Sequence, residues 1–177
     1  MYPKAYIEYL VHFHGDRDYF ECHEVLEEHW KEEQPKQRKA YWVGLIQIAV
    51  GLYHHRRNNW KGALRMMTNA LAILEKEKEA LLELGLDPAK TALLLREKVK
   101  DIQNKVPYQS IQLPISDENL LNECIEYCTK HQLQWGSVSN MNDEFLLHKH
   151  TRRDRSEVII ERKKSLALRQ QKKRDET

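Results

Sequence analysis

Residues 40–53, AYWVGLIQIAVGLY, constrain the fold more than any other stretch of the chain. A helix built from them is apolar nearly all the way round, which marks an element surrounded by others rather than one lying on a surface. Fourteen residues interrupted by Gln47 fall short of the roughly 18 to 20 needed to cross a bilayer. The run is therefore expected to be the central helix of a packed domain, spanning about 37–57. The rest of the chain agrees. It has only six Gly and five Pro in 177 residues, 41% hydrophobic content and long Leu/Ala/Glu/Lys tracts, which favour helices over strands. The expected fold is all-α: a single bundle of about five core helices, an extended proline-containing strap, one further helix and a basic tail.

Punctuation places the elements. Pro3 opens a first helix that Gly15 closes, and Asp16 or Asp18 starts a second that runs to about Glu33, before Pro35 breaks it. After Asn58 and Asn59, a fourth helix carries Trp60, Ala63, Leu64, Met67, Leu71, Leu74, Leu81 and Leu82 at helical spacing as far as Gly85. Asp87 and Pro88 begin a fifth, to about Lys105. VPYQSIQLPI, residues 106–115, reads as the extended strap, and Ser116 or Asp117 caps a helix to about Gln132. The expected division is residues 1–106 as helical core, 107–135 as strap and short helix, and 136–177 as basic tail, partly helical or disordered.

Charge supports a separate tail. Residues 148–177 hold eleven Lys/Arg against five Asp/Glu, so a net charge of +2 conceals a basic end on a mildly acidic body. Arg152, Arg153, Arg155, Arg162, Lys163 and Lys164 are the candidates there for contact with nucleic acid or an acidic protein, although interspersed Asp154, Glu157 and Glu161 weaken the field. The N-terminus lacks a signal-peptide pattern and the three cysteines are odd in number, so the expected location is the cytoplasm, with no membrane partner.

One short stretch departs from ordinary helix patterning. In ECHEVLEEHW, residues 21–30, His23, Glu27 and Trp30 fall within about a 60° arc of one helix face, and Tyr19, Phe20 and Leu26 fill the same face to about 60° on either side of His23. Glu21, Glu24, Glu28 and Glu32 lie on the opposite side. Glu27 is thus a carboxylate on an apolar stripe, and it needs a proton, a cation or a set of donors. His and Glu at i, i+4 can share one metal ion. The zinc-protease helix signature is not met, because Glu27 stands where its second His is required. Further ligands are sought on the third helix, where Gly44, Gln47, Gly51 and His54 share a stripe of about 80°. That stripe is expected to face His23 and Glu27, its glycines permitting close approach. The candidate ligands of a divalent metal are His23, Glu27 and His54, with Trp30, Gln47 and Tyr53 lining the site. Equally, His23 and Glu27 can be a hydrogen-bonded pair satisfied with Gln47 and His54 inside the bundle, and Trp30 a core anchor.

FECHEVLEEHW together with GLIQIAVGLYHHRRNNWKGALRMM resembles the small prokaryotic family catalogued as domain of unknown function 309, over roughly residues 4 to 80. The resemblance implies a compact all-helical protein of bacteria or archaea. It also implies a metal-binding or catalytic role for the His/Glu/Trp motif, with no established reaction; His23, Glu27 and Trp30 match that motif, and Gly44, Gln47, Tyr53 and His54 match a second block. Two functions compete on these grounds. One is a metal-assisted hydrolase. The other is a non-catalytic interaction module in which NNWKGALRMMTNALAIL forms a tetratricopeptide-like hairpin and the basic tail supplies charge.

Overall fold

The computed structural model describes residues 1–152 and 156–175, and every regular element among them is helical. The chain divides into two compact units, 1–147 and 148–177. In the first unit, α1 (Lys4–His14), α2 (Tyr19–Glu32), α3 (Ala40–Arg56), α4 (Trp60–Leu74), α5 (Lys78–Glu83), α6 (Pro88–Gln103), α7 (Glu118–Lys130) and the single turn α8 (Glu144–Leu147) follow in order. The second unit contains α9 (Lys149–Arg152) and α10 (Ser156–Asp175). Among the described residues, no helix is long and apolar enough to cross a membrane.

Helix starts are fixed by short acceptors in the positions that cap them. Asp18 accepts from the Glu21 amide, Asn59 from Gly62, Asp87 from Lys90, and Asp117 from Asn119 and Leu120. Each satisfies donors that the first helical turn leaves unpaired. α3 is the central element, with Leu45, Ile48, Ala49 and Leu52 fully buried. α2 packs on it from one side and α4, after a three-residue turn, from another.

The glycines of α3 face α4, not α2. A Cβ on Gly44 would lie 2.7 Å from Leu74 Cδ2, and one on Gly51 would lie 3.1 Å from Met67 Cε. The close approach expected from Gly44 and Gly51 is real, but its partner is the next helix in sequence. The expected fourth helix to Gly85 is also interrupted. It ends at Leu74, and the charged turn Glu75–Lys76–Glu77 redirects the chain so that Leu81, Leu84 and Leu86 return to the core.

The strap is extended, as its prolines demand, and it is tied down along its length. Leu86 and Ile115 form an isolated antiparallel bridge, Asp87 donates to the Pro114 carbonyl, and Ile111 and Leu113 are buried. His14 holds its middle. The Leu113 amide donates to His14 Nε2 at 3.0 Å, and Nδ1, 2.9 Å from the Leu10 carbonyl, must then carry the proton. Trp135 stacks on the same ring at 4.2 Å. His55 donates similarly from Nε2 to the Val106 carbonyl. Cys22, Cys124 and Cys128 are free and buried, packed as small core side chains.

Residues 137–147 fall within the first unit. Ser137 and Leu146 offer carbonyls, and Ser139 a hydroxyl, to two arginines of the body, Arg17 and Arg56. SVSNMND reads as loop by composition; its small polar residues serve as acceptors for buried donors.

Candidate functional site

α2 carries the motif on a face that is half-buried rather than sealed. His23 Nε2 lies 2.7 Å from Glu27 Oε2, and its Nδ1 lies 3.0 Å from Glu24 Oε1. Lys31 Nζ approaches the other Glu27 oxygen at 2.7 Å. Glu27 therefore finds its cations within its own helix: His23 one turn before it and Lys31 one turn after. Two carboxylates and two cations make the group neutral when His23 is protonated.

The protonation states follow from this geometry. Burial pulls the His23 pKa down, but the hydrogen bonds to Glu24 and Glu27 outweigh it and raise the value to about 9. The bond from His23, with help from Lys31, holds Glu27 at about 2. Because the His23 value is raised, its contribution to stability is full below about pH 6.5 and fades as pH rises through about 9. Glu27 has the opposite sense: its contribution fades as pH falls through about 2.

His23, Glu24 and Glu27 each present a ligand atom within 4.8 Å of the other two, the one such metal-capable group among the described residues. A cavity of 440 Å³ opens beside it, bordered by Glu24, Glu27, Glu28, Lys31 and Glu32. Glu24, assigned to the outer face by its helical angle, is thus part of the cluster, because a glutamate side chain can reach across the 100° between adjacent positions. The i, i+1 spacing was the available signal.

His54 is not in this group. It lies at the end of α3, where Nδ1 is 3.1 Å from Asn59 Nδ2 and its ring would touch a Cβ on Gly62. It faces the α3–α4 turn, and burial lowers its pKa. Gln47, on the same stripe, has a buried Oε1 without a hydrogen-bond partner among the described residues. Tyr53 does reach toward α2: it packs on Phe20, ring centroids 6.2 Å apart, and Phe20 packs on His23 at 5.9 Å. The ligand atoms that come within 4.8 Å of one another among the described residues are drawn from one helix, backed by Phe20 and Tyr53, and His54 is not among them.

Trp30 is half-buried, with the Arg38 guanidinium 4.6 Å from its ring. The deeply buried tryptophan is Trp42, edge-on to His29 at 5.2 Å. Trp30→Ala is accordingly expected to lower unfolding free energy by roughly 1–2 kcal/mol, below the 3–5 typical of a core aromatic. Chemical denaturation measures this, and a loss above about 3 kcal/mol would place Trp30 in the core after all. Of the basic candidates, Arg162, Lys163 and Lys164 are exposed on α10, Arg152 ends α9, and Arg153 and Arg155 lie outside the described residues.

An all-helical body with a His-x-x-x-Glu-x-x-Trp helix laid against an apolar central helix defines the class. The chain belongs to the family described as Domain of unknown function (DUF309), whose family model matches residues 6–66. It is 52% identical over 175 residues to the uncharacterized protein YpuF of Bacillus subtilis (strain 168), an alignment covering 99% of this chain and 100% of that one. The relative is therefore similar along the strap, α7 and the basic end as well as the family segment. No solved structure matches the chain.

Proposed function

We propose that His23, Glu24 and Glu27 form a divalent-cation site in which the metal takes the place of one of the two ring protons by which the imidazolium bonds the carboxylates. The observation that carries this is the mutual approach of three ligand atoms within 4.8 Å on a solvent-reaching face. One imidazole and two carboxylates suit a borderline-to-hard ion such as Zn²⁺ or Mn²⁺. Bound there, such an ion supplies an acidified water, the chemistry of hydrolysis. In its absence His23 and Lys31 hold the carboxylates in place.

The proposal ties metal to protons. With a His23 pKa of about 9, the imidazole is charged at neutral pH and must lose one proton to coordinate. Affinity should rise about tenfold per pH unit from pH 7 toward 9, with close to one proton released. Titration calorimetry of Zn²⁺ and Mn²⁺ into untagged protein, in two buffers of different ionisation enthalpy, reads both. His23→Ala should weaken binding roughly 100-fold, and Glu27→Gln should bring the His23 midpoint in NMR down toward 6.5. Binding that releases no proton, or that His23→Ala leaves intact, would defeat the metal reading. A His23 titration near 9 with no metal uptake would leave the cluster as an ion-pair network.

A further inference from the structure

Two arginines are buried in the body without an acid to meet them. Arg17 is 1% exposed and Arg56 is 4% exposed. Among the described residues, no carboxylate oxygen lies within 4.0 Å of either guanidinium. Arg17 donates to the carbonyls of Ser137 and Ile111, and Arg56 to the carbonyls of Arg17 and Leu146 and to Ser139 Oγ. Arg56 also lies over the ring of Tyr19 at 4.7 Å and that of Tyr108 at 5.9 Å. These neutral contacts offset part of the desolvation cost, but they bring no negative charge. Arg56 Nε–H is buried with no acceptor among the described residues.

In front of Arg56 lies a group of hydroxyls. Tyr108 Oη is 2.5 Å from Tyr19 Oη, 2.7 Å from Ser139 Oγ and 3.1 Å from Ser110 Oγ. The two serine oxygens already accept, Ser139 Oγ from Arg56 and Ser110 Oγ from the Ser139 amide at 3.1 Å. Four hydroxyls carry four protons, and the three close contacts consume three. The fourth has within the group only a 3.5 Å contact between Ser110 and Ser139. The cluster thus keeps one hydroxyl proton only weakly engaged, with a cation behind it. It also borders open space: Tyr108, Ser110 and Ser139 line a cavity of 510 Å³ whose other walls include Val138 and Met141, 81% and 51% exposed.

We propose that this cavity binds an oxyanion, a phosphate or carboxylate group of a small organic molecule. The hydroxyls of Tyr108, Ser110 and Ser139 would contact the anion, Arg56 would supply the charge through Ser139, and the ligand's apolar part would rest on Val138 and Met141. An anion provides the negative charge that the pair of guanidiniums lacks. The site shares no residue with the His23 cluster and does not depend on a metal there.

The test follows the Arg56 Nε–H resonance by NMR in the full chain, titrated separately with inorganic phosphate and with butyrate, and with chloride at matched ionic strength. A saturable shift at millimolar oxyanion, absent with chloride, is expected. Tyr108→Phe and Ser139→Ala should each weaken it at least tenfold. Arg56→Met, which keeps volume while removing charge, should abolish the binding-induced rise in thermal midpoint; if that variant does not fold, the two hydroxyl variants decide. A response to phosphate alone assigns a phosphorylated ligand, to butyrate alone a carboxylate, and to both a general oxyanion site. No saturable shift with either anion, or one unchanged in both Tyr108→Phe and Ser139→Ala, overturns the proposal.

Discussion

Ending the chain at Gly136 rather than at Leu147 is expected to cost roughly 4 kcal/mol of stability. The eleven residues removed include the Ser137 carbonyl that Arg17 Nε reaches at 2.8 Å, and Ser139 Oγ and the Leu146 carbonyl, which Arg56 reaches at 3.2 and 3.4 Å. Hydrogen bonds to charged groups contribute about 1.5–3 kcal/mol each, and water entering the opened site returns part of that. The buried side chains of Leu146 and Leu147 are lost as well. Urea unfolding of the two truncated proteins checks this. Equal midpoints would mean that the arginines are as well solvated without the segment, and that residues 137–147 are an appendage to the body.

Acidification should destabilise the protein through His14 by about 3 kcal/mol between pH 7 and pH 4. Burial holds the His14 pKa at about 3, with the Arg17 charge acting in the same direction against the hydrogen bond to Leu10. Unfolded, the same imidazole titrates near 6.5. Between these values the unfolded chain binds the extra proton, so stability is full above about pH 6.5 and is lost as pH falls toward 3. The cause is the bonding pattern: Nε2 accepts from Leu113, so a proton there would break the strap's tie while charging a ring stacked on Trp135. His14→Gln retains one donor and one acceptor and removes the charge change. Its unfolding free energy should fall by about 3 kcal/mol less than wild type over the same pH interval, measured by denaturation at each pH. If both proteins lose stability in parallel, His14 does not carry the acid sensitivity. His23, nine positions on, behaves oppositely because carboxylates rather than amides face its nitrogens.

The helices could be read from sequence because apolar periodicity and capping residues agree at Asp18, Asp87 and Asp117. The strap could be read because Pro107 and Pro114 forbid helix. The break after Leu74 could not, since Glu75–Lys76–Glu77 are good helix formers and only the burial of Leu81, Leu84 and Leu86 requires the turn. At the candidate site, the i, i+4 pair of His23 and Glu27 was visible, as was the need of Glu27 for a cation. Its neighbours were not. Glycines on α3 announce a close helix without naming it, and the short turn at 57–59 delivers α4 to that face. Arg56 carries a comparable sign: Leu45, Ala49, Leu52 and Arg56 share one buried stripe, and a cation at the end of such a stripe is as anomalous as Glu27.

Arg17 adopts φ 58°, as do Asn58, Lys105 and Gln132 nearly so, each shortly after a helix ends. Glycine is the residue that this left-handed turn prefers, by about 1 kcal/mol over a side chain without local compensation. A designer choosing residues by backbone preference would write glycine at all four positions. At Asn58 and Gln132 that choice discards a turn side chain, and at Lys105 an ammonium 5.0 Å from the centre of the Trp60 ring. At position 17 it would delete one of the two buried arginines and leave the carbonyls of Ser137 and Ile111 facing nothing, so the residue that the backbone least wants is the one the interior is arranged around.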